Sequence, residues 1–138
     1  MALTASRARA VVAAAENRAR QMGVAVVIAV LDSGVHLKEF SRMDGAPLGS
    51  IDIAVKKART AALFGTNSET VWEYCKPGAP APGLELTNGG LAPFGGGIPL
   101  KVAGELAGAV GVSGGAVAQD LEIAQAAAAA LAGDSVHP

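Results

Sequence analysis

The sequence predicts an α+β fold in which helices cover an antiparallel sheet, and three observations carry that reading. Apolar residues recur at three and four near both ends of the chain, the period of a helix with one buried face. Two pairs of strand-length runs are joined by connections too short for a crossover, so each pair must be antiparallel. Each such pair stands next to a helical pattern. At 138 residues the chain fits a single domain over 1–138.

The first helix is predicted from about Leu3 to Met22, with Ala8, Val11, Val12, Ala15, Ala19 and Met22 on one face and Gly23 as its stop. Val24 to Leu31 is a continuous β-branched run and reads as a strand buried on both faces. After the turn Asp32-Ser33-Gly34, the alternation from Val35 to Met43 predicts a second strand. One of its faces carries Val35, Leu37, Glu39 and Ser41. The other carries His36, Lys38, Phe40 and Arg42, a basic face with an aromatic that should meet water or a ligand. Asp44-Gly45-Ala46-Pro47 turns the chain, and a helix follows from Pro47 or Ser50 to Phe64 with Ile51, Val55, Ala58 and Ala62 in phase. Ser68 is the expected cap of a short helix reaching Cys75.

From Lys76 to Pro99 the chain is rich in proline and glycine and loses its period, which predicts a long loop with a short strand near Leu84–Leu86. Long ordered loops of this kind tend to be binding loops or lids. Ile98–Ala103 and Leu106–Val112 then form a second hairpin, with Gly104-Glu105 as a type II′ signal. The glycine-rich second strand marks close approach of a ligand or of another backbone. A last helix is expected over Gln119–Leu131 with Leu121, Ala124, Ala128 and Leu131 on one face, and GDSVHP is a tail. The repeated pairing of hairpin and helix gives a profilin-like arrangement.

Composition narrows the function. Apolar residues make up 51% of the chain and aromatics only 4%, so the core must be thin and elements must approach closely or pack between subunits. A net charge of −1, with Lys and Arg dispersed, argues against a nucleic-acid partner. Charges at Arg7, Arg9, Glu16, Arg18 and Arg20 interrupt the first helix, so it does not read as a signal peptide, and no run is long enough to span a membrane. A single cysteine, Cys75, fits a reducing compartment and a cytoplasmic protein.

Candidate chemistry centres on Leu31–Pro47. It holds the only internal histidine, His36, together with Arg42, Met43 and Asp44. Hydrolytic zinc sites need more ligands than two histidines supply. No GxSxG elbow supports a Ser–His–Asp triad. Neither Gly95-Gly96-Gly97 nor the run from Gly108 to Gly115 satisfies a phosphate-loop or dinucleotide pattern, although the turn after Ser113 opens towards a helix N-terminus. Arg42 and Asp44 are either a turn-stabilising ion pair or, facing the helix with Lys56, Lys57 and Arg59, one wall of a carboxylate pocket. His36 is either a surface histidine or an axial ligand, since haem needs only one from the protein.

Four strings together carry a resemblance: LDSGVHLKEFSRMDGA at 31–46, KKARTAALF at 56–64, GGGIPL at 95–100 and GAVGVSGGAVAQD at 108–120. With these the chain resembles the GlcG/HbpS family, the haem-binding and haem-degrading domain that also forms the C-terminal part of PduO proteins. The resemblance implies a five-stranded antiparallel sheet with packed helices, and assembly into dimers or larger homo-oligomers. The family often has two glycines in the first turn, where this chain has Gly34-Val35. On the haem reading the candidate contacts are His36, Arg42, Met43, Lys57, Phe94, Gly96 and Gly97, with propionates on Arg42 and Lys57 and His36 as the iron ligand. The alternative is a cofactor-free isomerase, tautomerase or lyase acting on a small carboxylate. Arg42 would hold the carboxylate, Asp44, Glu105 or Asp120 would move the proton, and the 76–99 loop would exclude water. A third reading is an accessory oligomer without a small-molecule site.

Overall fold

Helix α1 (Ala5–Met22) starts where the Thr4 hydroxyl accepts the Arg7 N–H at 3.1 Å, and it stops at Gly23, whose φ of 71° is the left-handed cap. The computed structural model describes residues 2–132; the tail expected over 133–138 lies outside them. Strands β1 (Val27–Asp32) and β2 (Leu37–Arg42) follow, then α2 (Ser50–Phe64) and α3 (Ser68–Cys75). Strands β3 (Gly97–Val102) and β4 (Glu105–Ser113) precede α4 (Val117–Ala129).

The strands form one antiparallel sheet in the order β2-β1-β4-β3, so the described chain has four strands and not the five expected. The stretch that could have supplied another is rich in proline, which cannot donate to a ladder. Leu84–Leu86, expected as a short strand, is instead one 3₁₀ turn entered from Gly83 at φ 88°.

Helices α1 and α4 cover one face of the sheet. There Val11 and Ala15 meet Ile28, Val30, Val110, Val112, Ile123 and Ala127. Helix α2 covers the other face, with Ala54 against Val27 and Ala29, and with Ala58 and Ala61 against Leu31 and Ala109. Strand β1 is therefore buried on both faces, as its unbroken apolar run requires. The glycines of β4 are explained by a backbone and not by a ligand: a Cβ on Gly111 would collide with the Ala54 carbonyl oxygen of α2.

Two turns differ from expectation. In the first hairpin Val35 N–H donates to Asp32 O at 3.0 Å and Val35 itself takes φ 61°, a type I turn followed by a left-handed residue. The register then slips between Val30↔Glu39 and Leu31↔Leu37, so a bulge at Lys38 breaks the alternation expected over Val35–Met43. In the second hairpin the loop is Ala103-Gly104, both at positive φ (54° and 80°), closed by Val102↔Glu105. That is the type I′ requirement and replaces the expected type II′ turn.

Candidate functional site

The strand register decides which candidate residues share an end of the sheet. Arg42 pairs with Val27, Val27 with Ser113, and Gly97 with Gly111, so Arg42 and Gly97 lie at the same end on opposite edges. His36 sits in the β1–β2 turn and Glu105 opens β4, both at the other end. A strand of this length spans roughly 17–20 Å, which separates His36 and Glu105 from the remaining candidates. The His36 side chain is 80% exposed, with Nδ1 3.3 Å from Asp32 Oδ1. That carboxylate also accepts the Gly34 and His36 backbone N–H groups at 2.9 and 3.0 Å. The His36 N–H bond is the main reason the Asp32 carboxyl lies below its usual value.

At the β2 edge, Arg42, Met43 and Asp44 do come together, with Glu16 and Arg20 of α1, around a polar cleft of about 340 Å³. Ser41 Oγ donates to Glu16 Oε2 at 2.8 Å and orients that carboxylate. Met43 packs partly onto the core beneath. Among the described residues no ion pair joins Arg42 to Asp44.

At the β3 edge a larger cleft of about 510 Å³ is mostly apolar, with Trp72 of α3, Pro93, Phe94, Gly95 and Val117 of α4 as walls, and Glu69 and Glu73 on α3. Its loop is clamped in place. The buried Ser68 hydroxyl donates to Phe94 O at 2.6 Å and accepts the Gly97 N–H at 2.9 Å. Thr60 Oγ1 accepts the Ala92 N–H at 3.0 Å. Ser68 was expected as a helix cap, but Asn67 takes that position and leaves Ser68 to hold the loop.

Lys57 lies inside the molecule and not on a ligand-facing surface. Its Nζ donates to Val112 O at 2.8 Å and to Asp120 Oδ2 at 3.1 Å, with both side chains almost fully buried. It also stands 4.9 Å from the centre of the Phe94 ring. Burial pushes the Lys57 ammonium below its usual value, with the Asp120 carboxylate opposing the shift. A Cβ on Gly97 would meet the Lys57 carbonyl, while Gly96 takes φ 129° and a Cβ on it would lie 2.5 Å from Val112 O of β4 and 2.9 Å from Lys57 Nζ. Of the expected ligand contacts, Phe94 lines the apolar cleft, Gly96, Gly97 and Lys57 build its support, Arg42 and Met43 belong to the polar cleft, and His36 touches neither. Trp72 and Ser68 were missed as site residues. The only sequence signal for Trp72 was an aromatic on a short helix facing a proline-rich loop.

A family model described as "Haem degrading protein HbpS-like" matches residues 3–129. The chain belongs to the HbpS-like family. Within that setting it is 42% identical over 112 residues to GlcG of Escherichia coli K12, covering 80% of this chain and 81% of GlcG. It is 41% identical over 119 residues to the corrinoid adenosyltransferase PduO of Salmonella typhimurium, covering 86% of this chain but only 35% of PduO. The chain therefore spans about a third of that enzyme. A crystal structure of a PduOC–haem complex shares its fold at a TM-score of 0.90 and 39% identity, over 94% of this chain and 95% of that one. Haem thus enters the HbpS-like family both in its description and in a solved relative. No helix among the described residues is long and apolar enough to cross a membrane. No group of three or more metal-ligating side chains occurs among them.

Proposed function

We propose that this protein binds a haem-like tetrapyrrole in the apolar cleft at the β3 edge. The observation that carries this reading is the cleft itself: about 510 Å³ walled by Trp72, Pro93, Phe94 and Val117. Its size falls in the usual range for cofactor sites, and flat apolar walls suit the faces of a macrocycle. The carboxylates of Glu69 and Glu73 fit the propionates poorly, so those groups point away from α3. None of the cleft's walls is His, Met, Cys or Tyr, the usual axial ligands. Bound haem would supply a redox-active iron; the chain's own part is to hold the ring and keep water from its faces.

The same reading has the protein acting as a homo-oligomer in the cytoplasm. It is supported by the exposed Leu63, Phe64, Trp72 and Tyr74 and by the unpaired Cys75. His36, exposed on its hairpin, then meets a ligand only on a neighbouring subunit.

The test is a hemin titration followed at the Soret band. A red-shifted band that weakens about tenfold or more in Phe94→Ala or Trp72→Ala, yet is unchanged in Arg42→Ala, supports the cleft. No Soret shift in the wild-type protein sinks it. A second reading rests on the polar cleft, where Arg42 and Arg20 offer guanidinium forks to a small carboxylate and Asp44 is placed to move a proton. Glu105, at the far end of the sheet, and Asp120, committed to Lys57, fall outside that site. Turnover of a small carboxylate that is lost in Arg42→Ala would favour it.

A further inference from the structure

A lysine that is 1% exposed is rare in a domain of this size. Lys57 does not sit there to fill space, because its neighbours on the same helix face, Ala54, Ala58 and Ala61, show how little volume the contact with the sheet needs. It does not sit there for stability either. A buried ion pair is often no better than two apolar side chains of the same volume. What it does hold together is specific. Its ammonium has three destinations: Val112 O at the end of β4, Asp120 Oδ2 in the first turn of α4, and the ring of Phe94. Asp120 in turn accepts the Gly115 N–H at 2.9 Å through Oδ1, which anchors the start of α4. Val117, one turn before Asp120, and Phe94 are both walls of the apolar cleft.

We infer that the Lys57–Asp120 pair is a positioning device for that cleft: Lys57 fixes the Phe94 ring from its buried side while Asp120 sets the start of α4 that carries Val117, so the two walls keep a separation suited to a flat aromatic ligand. This rests on the tetrapyrrole reading of the cleft and adds which buried residues prepare it. Lys57 touches no ligand and acts through Phe94. A cation behind the ring also draws electron density from its outer face, which favours stacking against an electron-rich macrocycle.

The variant to make is the paired replacement Lys57→Met/Asp120→Leu, which removes both charges together and so leaves no unpaired buried ion. Two readouts are taken on the folded protein. Hemin affinity is expected to fall on the order of tenfold, as for loss of a supporting shell, with a displaced Soret maximum. Acrylamide quenching of Trp72, the only tryptophan, is expected to rise in the absence of any ligand because the facing wall has loosened. In a Phe94→Ala background the same paired replacement should cause a clearly smaller loss of hemin affinity than in wild type, since only the Val117 wall is left for it to disturb. Losses that add independently of Phe94, or wild-type affinity and quenching in the folded paired variant, would overturn the inference. If hemin binds neither wild type nor variant, the tetrapyrrole reading fails while Trp72 quenching still decides the positioning role. Should the paired variant not fold, Lys57→Met and Asp120→Asn are read by the same quenching measurement, with unchanged quenching in a folded single variant counting against the device.

Discussion

The two clefts at one end of the sheet are made of opposite materials. The β2-edge cleft is assembled from exposed charged side chains, Arg20, Arg42 and Asp44, that make no ion pairs among themselves, on an edge strand and a helix surface. The β3-edge cleft is assembled mainly from aromatic and small apolar groups, with Glu69 and Glu73 on its α3 side and one buried ion pair beneath it. The first can change without disturbing the fold; the second shares its supports with the core. A motif that is conspicuous in sequence therefore marks the replaceable site, and the built site is inconspicuous.

The contrast is sharpest in stability. Asp120→Ala leaves the buried Lys57 ammonium without its counter-charge and should cost about 3–5 kcal/mol in urea denaturation, whereas Asp44→Ala should stay within about 0.5 kcal/mol. Equal losses for the two would erase the distinction between the clefts. Gly97→Ala comes next. Its Cβ has no space beside the Lys57 carbonyl and the Ser68 hydroxyl, so a loss of about 1–3 kcal/mol is expected by the same measurement. No loss would mean that α2 can lift off the sheet there.

Alkaline titration gives a smaller effect with a definite sign. Because burial holds the Lys57 pKa in the folded state below the ordinary lysine value of 10.5, the unfolded chain binds more protons between the two values. Stability should therefore rise with pH across that window, relative to Lys57→Met, as the penalty of a buried charge fades. A flat difference between the two proteins would show that Asp120 fully compensates the burial.

The hairpin end of the sheet provides a control remote from both clefts. Val35→Gly relieves a β-branched residue at φ 61° and should stabilise by about 1 kcal/mol, leaving hemin binding unchanged. Asp32 gives the smallest effect. Its lowered carboxyl pKa contributes stability above the usual 3.8 that disappears as pH falls through the folded value, and Asp32→Ala should remove that acid dependence in a thermal-melt series.

Much of the fold was legible because its signals are local. Gly23 and Gly65 ended helices where expected, the β-branched run of β1 announced burial on both faces, and the short connections fixed antiparallel hairpins. The helix faces were legible in part. Ala58 and Ala62 of α2, Ala124 of α4 and Leu131 just past its end are buried as expected, while Ile51, Val55 and Leu121 are only half-buried, and the inward positions Lys57 on α2 and Asp120 on α4 do not show in the pattern. Both omissions have one cause. A charged residue occupies the inward face of each helix, and a pattern that sorts charge to the outside passes over it.

By itself the sequence determined the α+β class, the order of the elements, the HbpS-like resemblance and the segments from which any site must come. Only the tertiary structure decided that His36 and Arg42 lie at opposite ends of the sheet, and that the glycines at 97 and 111 make room for the backbone of α2 and not for a ligand. It alone brought Lys57 and Asp120, 63 residues apart, into one ion pair beneath Phe94. The physical reason is that a buried charge is tolerable only with its partner beside it, and no local pattern records which distant residue that partner is.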